Sequence, residues 1–461
     1  MRRLEQRRRA EAARLAAIAH QRALDDAMRN EVQSFIGRDN TNGEDPDVRR
    51  AAVNALGNHA GTVVVMDPAT GRVYSIVNQE WALRRGFKPC STIKLVTGLA
   101  GLNEKVIDPD ETNKISDSHR IGLTDALAYS NNTYFQQVGG RVGYDKMVSY
   151  ARRLGLGEKT GINAPNESPG QLPSPRSGYA VSHMSSHGDD FKVTAVQLAT
   201  LVSAMANGGK LLSPNIPRST ADTTKVQPKV RRVLNLDLDS LRYMVPGMVG
   251  AVNYGSGRRA QNPQETVAGK TGTCIEQGTW VGLFASYAPL VNPRLAIVVI
   301  ARGADAHSHF PAAVAGRIYR ELNGRFGTPT NLEIATARAG NSSGLTSDPK
   351  VALNEEDIDE DESDVGDISN STANQPTRGT TSSGGRLETT MTNVTAVTGA
   401  NRIPRSAQPL WRDTKSRASN TVKRVLMPIP AKAVPVKVAA SRPGPKALPQ
   451  TRPRRVTELH P

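Results

Sequence analysis

Aromatic residues are scarce in this chain: Phe, Trp and Tyr make up 4% of 461 residues. Aromatics dominate packed interiors, so a share this low implies that part of the chain belongs to no core. Cysteine is scarcer still. Two residues, Cys90 and Cys274, exclude a disulfide-dense scaffold and a four-cysteine zinc site. No apolar run approaches the ~18 residues that a membrane-spanning helix needs. Acids are outnumbered, 43 against 59 Lys and Arg, which leaves a formal charge of +16. Such an excess raises nucleic acid or another polyanion as a partner, but net charge speaks to association rather than to fold. No nucleic-acid-binding motif accompanies it. The length also exceeds the roughly 250–300 residues at which single cores stop growing.

Composition shifts divide the chain into three parts. Segment 1–44 opens with eight arginines, four acids and no aromatic in its first 30 residues. Glu11 and Arg14 interrupt its alanine-rich stretch, so it lacks the apolar centre of a secretory signal. It reads as an exposed basic helix, or as the flank of a membrane span lying outside this chain. Segment 328–461 carries one aromatic, Trp411. It runs through an acidic block, Glu355–Asp367, a Ser/Thr/Gly-rich stretch, and a Pro-rich basic end, Arg402–Arg455. Such a composition buries too little apolar surface to offset ordering entropy, about 1–2 kcal/mol per residue. Disorder is the expectation there, with a solvated tail or one touching an anionic surface.

Segment 45–327 is then the folded unit. Asp45 can cap a helix that begins at Pro46 and closes at Gly57. Thr62–Met66 and Val73–Val77 read as strands joined by the turn Asp67-Pro68-Ala69-Thr70-Gly71. Trp280–Tyr287 and Leu295–Ala301 read as two more strands, and Phe310–Leu322 as a helix. Strands at both ends with helices between them predict an α+β fold. Its antiparallel sheet is flanked by helices, and a helical subdomain is inserted.

Three short motifs follow in order: Ser91-Thr92-Ile93-Lys94, Ser130-Asn131-Asn132 and Lys270-Thr271-Gly272-Thr273. Each alone is weak. A serine hydroxyl needs a neighbouring base to become a nucleophile. If Ser91 opens a helix, Lys94 stands three residues on, over the same face, and can be that base once its charge is suppressed. Lys270 offers a second positive charge that would favour this.

Together the motifs match the signature of penicillin-binding proteins and active-site serine β-lactamases. Residues 45–325 resemble a penicillin-binding protein transpeptidase domain. The opening Val63–Arg72, the run Leu123–Tyr129 into Ser130, and Val193–Ala199 followed by Ala206-Asn207-Gly208-Gly209 are similar to further family stretches. The resemblance implies that Ser91 is the acylated nucleophile, Lys94 its base and Ser130 the relay to the leaving amine. Asn132 would hold the substrate amide, and Lys270 and Thr271 its carboxylate. The oxyanion hole would come from the N–H groups of Ser91 and Thr273, with Gly272 between. The implied substrates are D-Ala-D-Ala peptidoglycan stem peptides, with β-lactams as inhibitors, no cofactor and no metal. Cell-envelope or cell-division proteins are the implied partners, nucleic acid is not, and the implied location is extracytoplasmic and membrane-associated. D,D-carboxypeptidase, serine β-lactamase and a non-enzymatic penicillin-binding sensor or scaffold remain as alternatives.

Only 39 positions separate Ser91 from Ser130, so Asn103–His119 is expected to be a short connection that reduces one wall of the site. Cys90 precedes the nucleophile and Cys274 follows Thr273. The resemblance, which extends to certain class A β-lactamases, implies a Cys90–Cys274 disulfide; two buried free thiols are the alternative. Glu167 lies near the place of the β-lactamase deacylating glutamate, but Gln171 replaces the expected asparagine, and Glu167 reads as structural. The pairs His183/His187 and His307/His309 lack a Cys or carboxylate to complete a zinc set. They read as surface or loop histidines.

Overall fold

The computed structural model describes residues 2–175, 180–217, 222, 226–307 and 309–328. The expected disorder from 329 onward therefore falls outside the described residues. The chain opens with helices α1 (Arg2–Ile36) and α2 (Pro46–Leu56), strands β1 (Gly61–Met66) and β2 (Val73–Val77), and helix α3 (Gln79–Leu83). A short 3-10 turn, Cys90–Ile93, leads into α4 (Lys94–Asn103). The small hairpin β3 (Thr112–Lys114) and β4 (Arg120–Gly122) precedes α5 (Leu123–Ala128), α6 (Asn132–Val142), α7 (Tyr144–Arg153), α8 (Val181–His187) and α9 (Ala195–Ala206). A second small pair, β5 (Lys210–Leu212) and β6 (Val230–Val233), precedes α10 (Leu238–Asn253). The chain then returns to the main sheet through β7 (Ala268–Glu276), β8 (Thr279–Ala288) and β9 (Leu295–Arg302), and α11 (Phe310–Phe326) follows.

The main sheet is antiparallel throughout, in the order β2-β1-β9-β8-β7. The first hairpin pairs with the last strand: Val63 faces Val299 and Val65 faces Ile297. Strand β7 is left at an edge, carrying Lys270 and Thr271. Both sheet faces are covered. Val63, Val65, Ile297 and Val299 point toward α2 and α11, and Val64, Met66, Val298 and Ile300 toward α9. Side chains alternate across a pleated strand, so a strand buried on both faces reads as a continuous apolar run. All eight residues of β9 are buried accordingly.

Local chemistry sets the element ends. Asp45 accepts a hydrogen bond from Val48 N at 3.2 Å, and Gly57 closes α2 at φ 61°, a conformation that glycine reaches without strain. Asp67 Oδ1 accepts from Ala69 N at 2.8 Å and shapes the β1–β2 turn.

The basic first segment is helical, but its last third is not an exposed helix. Val32 is fully buried, with Met28, Phe35 and Ile36 packed beside it. Asp25 accepts from Ala304 N at 3.2 Å, and Arg29 pairs with Asp305. The apolar spacing Met28, Val32, Phe35, Ile36 follows one helix face and begins as the charged stretch ends. The loop after α1 is tied down as well. Asp39 accepts from Asn78 N at 2.8 Å and Gln79 N at 2.7 Å, and Glu44 from Ile76 N at 3.0 Å.

Asp45 also joins the two helices of one face, because Arg325 of α11 donates to its Oδ1 at 2.9 Å. Burial opposes its ionisation, but hydrogen bonds from Arg325 and Val48 N outweigh burial and hold its carboxyl below the ordinary 3.8. A group depressed on folding stabilises the fold above its unfolded value and loses that contribution as pH falls through the folded one. Asp45→Ala is therefore expected to cost about 1–2 kcal/mol near pH 7. The deficit should shrink as pH falls below 3.8 in urea unfolding. A deficit that does not change with pH would contradict the ion pair.

Candidate active site

The turn that carries Ser91 is tighter than the expected helix start. Residues Cys90–Ile93 form a 3-10 turn and the α-helix begins at Lys94. In a 3-10 turn, residues three apart eclipse each other. Lys94 Nζ accordingly lies 2.7 Å from Ser91 Oγ. Ser91 is partly exposed, whereas Lys94 is fully buried.

Three further oxygens surround the Lys94 nitrogen: Ser130 O at 2.6 Å, Ser130 Oγ at 3.0 Å and Asn132 Oδ1 at 2.5 Å. The carbonyl and amide oxygens can only accept, whereas the two hydroxyls can also donate. An amine with two N–H bonds and one lone pair fits this set, the lone pair facing a serine hydroxyl. Ser130 is aimed by its backbone. It adopts φ 59° just after α5, an uncommon left-handed geometry for a serine. Asn131, between the two site residues, caps α6 by accepting from Tyr134 N at 2.8 Å. The motif thus alternates site, cap and site.

Strand β7 delivers the third motif from the opposite side. Lys270 is fully buried, with Nζ 2.8 Å from Ser130 Oγ and 3.0 Å from Thr271 O. One serine hydroxyl therefore lies between two lysine nitrogens. Gly272 explains how the strand comes so close. A Cβ there would lie 3.0 Å from Pro89 O and 3.2 Å from Thr92 N, against the Ser91 turn. Ser256, which the motif analysis did not single out, lies 2.6 Å from Thr271 Oγ1 and donates to Ala128 O at 3.3 Å. Its only sequence signal is its place between Gly255 and Gly257.

Two devices hold β7 and the Ser91 turn together. Cys90 and Cys274 are disulfide-bonded with Cα atoms 5.7 Å apart, so the residue before Ser91 is joined to the residue after Thr273. Beneath the turn, Lys88 pairs with buried Asp189 at 2.8 Å, and His183 contacts the same carboxylate. Burial opposes the Asp189 charge, but His183 and Lys88 prevail and lower its carboxyl below the ordinary range. The histidines of this pair are thus not loop or surface groups. Both lie on α8, and His187 is buried and stacked on His183 at 3.8 Å. His309 Nδ1 lies 3.0 Å from Ser256 O, and His307 packs edge-on against Trp280. Among the described residues no group of three His, Cys, Asp or Glu side chains is placed to hold a metal ion.

Glu167 is buried away from these motifs' hydrogen bonds. Its Oε1 accepts from Thr160 N at 2.6 Å and Thr160 Oγ1 at 2.5 Å, and its Oε2 from Gly161 N at 3.1 Å. The connection 104–119 holds little more than strand β3 and tight turns.

The disulfide closes a sequence separation of 184 residues. On the chain-entropy account, removing such a link costs roughly 2–5 kcal/mol. Thiol alkylation mass spectrometry of unreduced protein should find neither cysteine modified. Reductant or Cys274→Ser should lower the thermal midpoint by several degrees. Two alkylated cysteines without reduction would contradict the bond.

The penicillin binding protein transpeptidase domain model matches residues 61–324. Peptidoglycan D,D-transpeptidase MrdA of Acinetobacter baumannii is 25% identical over 359 residues, covering 60% of this chain and 53% of its own length. Stage V sporulation protein D of Bacillus subtilis is 27% identical over 274 residues, covering 53% and 42%. The chain thus spans about half the length of the curated relatives it matches. Among solved structures, Pseudomonas aeruginosa PBP2 in complex with WCK 5153 superposes with a TM-score of 0.53 at 23% identity, over 61% of this chain and 75% of that one. That likeness shows the fold. The matched span contains all three motifs and their shared Ser130 hydroxyl. The chain belongs to the penicillin-binding protein transpeptidase domain family.

Proposed function

We propose that this protein is a peptidoglycan D,D-transpeptidase working through a Ser91 acyl-enzyme. The observation that carries the reading is the chain of contacts from Ser91 Oγ to Lys94 Nζ, Ser130 Oγ and Lys270 Nζ, each link 2.7–3.0 Å. Complete burial and the nearby Lys270 ammonium both disfavour charge on Lys94, so its lone pair takes the Ser91 proton. Ser91 Oγ then bonds to the carbonyl carbon of the penultimate D-Ala, and the N–H groups of Ser91 and Thr273 stabilise the oxyanion. When the C–N bond breaks, the Ser130 hydroxyl gives its proton to the departing D-Ala nitrogen. Ser130 recovers a proton from Lys94, which had received it from Ser91. An acceptor amine reverses these steps: it loses a proton to the relay, bonds to the acyl carbon and releases Ser91. Lys270 and Thr271 hold the terminal carboxylate, and Asn132 orients the donor amide.

The placement of Glu167 supports transpeptidation over β-lactamase turnover: it accepts from Thr160 and Gly161, and among the described residues none of its hydrogen bonds reaches the three motifs. The substrate places the protein outside the cytoplasmic membrane, with peptidoglycan stem peptides as partners and β-lactams as inhibitors. Among the described residues no helix is long and apolar enough to cross a membrane.

Mass spectrometry after treatment with a labelled penicillin should find one adduct, at Ser91, and none in Ser91→Ala. Lys94→Ala should slow adduct formation by about 10²–10⁴-fold. A D-Ala-D-Ala peptide with an amine acceptor should yield D-Ala and the amide product. Hydrolysed peptide alone would mark a carboxypeptidase, rapid loss of the penicillin adduct a β-lactamase. Equal labelling of Ser91→Ala would overturn the mechanism.

A further inference from the structure

Beyond the disulfide, β7 ends at Glu276 beside a solvent-open pocket of about 340 Å³. Arg85, Ser168, Gln171, Lys192, Glu276 and Arg302 line it. Three of these side chains are cationic and one is anionic, and that one, Glu276, is ion-paired with Lys192. Arg302 donates to neutral acceptors, Glu276 O at 2.9 Å and Gln277 Oε1 at 3.0 Å. Its Nε is buried with no hydrogen-bond partner among the described residues. Arg85 lies over the rings of Trp81 and Phe87, 4.6 and 5.4 Å from their centroids. It makes no hydrogen bond or ion pair among the described residues. Aromatic stacking thus holds a guanidinium in place while leaving its five N–H donors unmatched. Burial first, and then the Arg85 charge, push the Arg302 guanidinium below its ordinary value. The one further opposing charge near Arg85 besides Glu276 is Glu31 of α1, which is solvent-exposed.

Position connects this pocket to the site. From Thr273 to Glu276 a strand advances roughly 10 Å, about the span of three extended residues. A peptide with its terminal carboxylate at Lys270 and Thr271 and its scissile carbonyl at Ser91 would follow the free edge of β7. Its N-terminal part would run toward Glu276. We propose that the Arg85–Arg302–Lys192 pocket binds a carboxylate of the peptide donor about three residues before the scissile bond. The proposal rests on the transpeptidase reading and makes the pocket an acid-selective subsite of it.

The test compares two synthetic acetylated peptides ending in D-Ala-D-Ala, with Glu or Gln as the third residue before the scissile bond, two residues before the penultimate D-Ala. D-Ala release by the full chain should favour the Glu peptide in kcat/KM by about tenfold, as expected for a charge-assisted bidentate contact. Arg85→Gln should reduce this preference to near unity while penicillin acylation of Ser91 proceeds at the normal rate. Should that variant fail to fold, Lys192→Gln serves the same comparison. Equal use of both peptides by the wild type, or an undiminished preference in a variant that acylates normally, would overturn the pocket and leave the transpeptidase reading standing. Failure of penicillin to acylate the wild type would overturn both.

Discussion

A lysine nitrogen buried from water among four oxygens sets the terms for the rest of this structure. Lys94 has no exposed surface, so its hydrogen bonds must be met by protein. Meeting them requires two separate pieces of chain: the 3-10 turn with Ser91, and the segment that carries the left-handed residue Ser130 and Asn132 at the start of α6. A second buried lysine, Lys270, reaches the same Ser130 hydroxyl from β7. Both lysine nitrogens thus converge on one hydroxyl, which in the proposed mechanism relays a proton under the influence of both. Elsewhere the arrangement would be costly, and here it sits in the only place where all three motifs meet.

The sheet order makes that meeting possible. Because β1 pairs with β9 rather than with β7, the last hairpin projects β7 to the edge, beside the inserted helices. The edge then needs fixing against the turn it serves. Gly272 lets the backbones approach, the Cys90–Cys274 bond ties them, and the Lys88–Asp189 pair braces the turn from below. Under the proposed mechanism these contacts would fix the reacting groups, where an error of about 1 Å can cost about 10²-fold in rate.

Much of this was legible in sequence, for physical reasons that differ by element. The β1–β2 hairpin showed itself through Asp67 and Gly71, whose turn chemistry is local, and α2 through Asp45, Pro46 and Gly57. The three motifs were legible because hydroxyl, amine and amide groups at fixed spacings serve one chemistry. What escaped were contacts made across the fold. Val32 belongs to an apolar face, Met28, Val32, Phe35 and Ile36, that is short and follows a long charged stretch, so by sequence it reads with the exposed helix before it. The 3-10 turn at Ser91 lies against β7, a strand far along the chain, so its tight geometry has no local signal. Ser256 bonds to Thr271 and Ala128, and Asp189 pairs with Lys88, partners that are distant in the chain. Arg85 gains its meaning from Trp81, Phe87 and Arg302, brought together by the end of the sheet.

The central claim is that Lys94 and Lys270 act as one unit through the Ser130 hydroxyl. The rate of penicillin acylation in Lys94→Ala, Lys270→Ala and the double variant tests it most directly. Groups that share one proton path give non-additive losses. The account predicts a double variant about as slow as the slower single variant. Losses that multiply, each lysine acting independently, would contradict it.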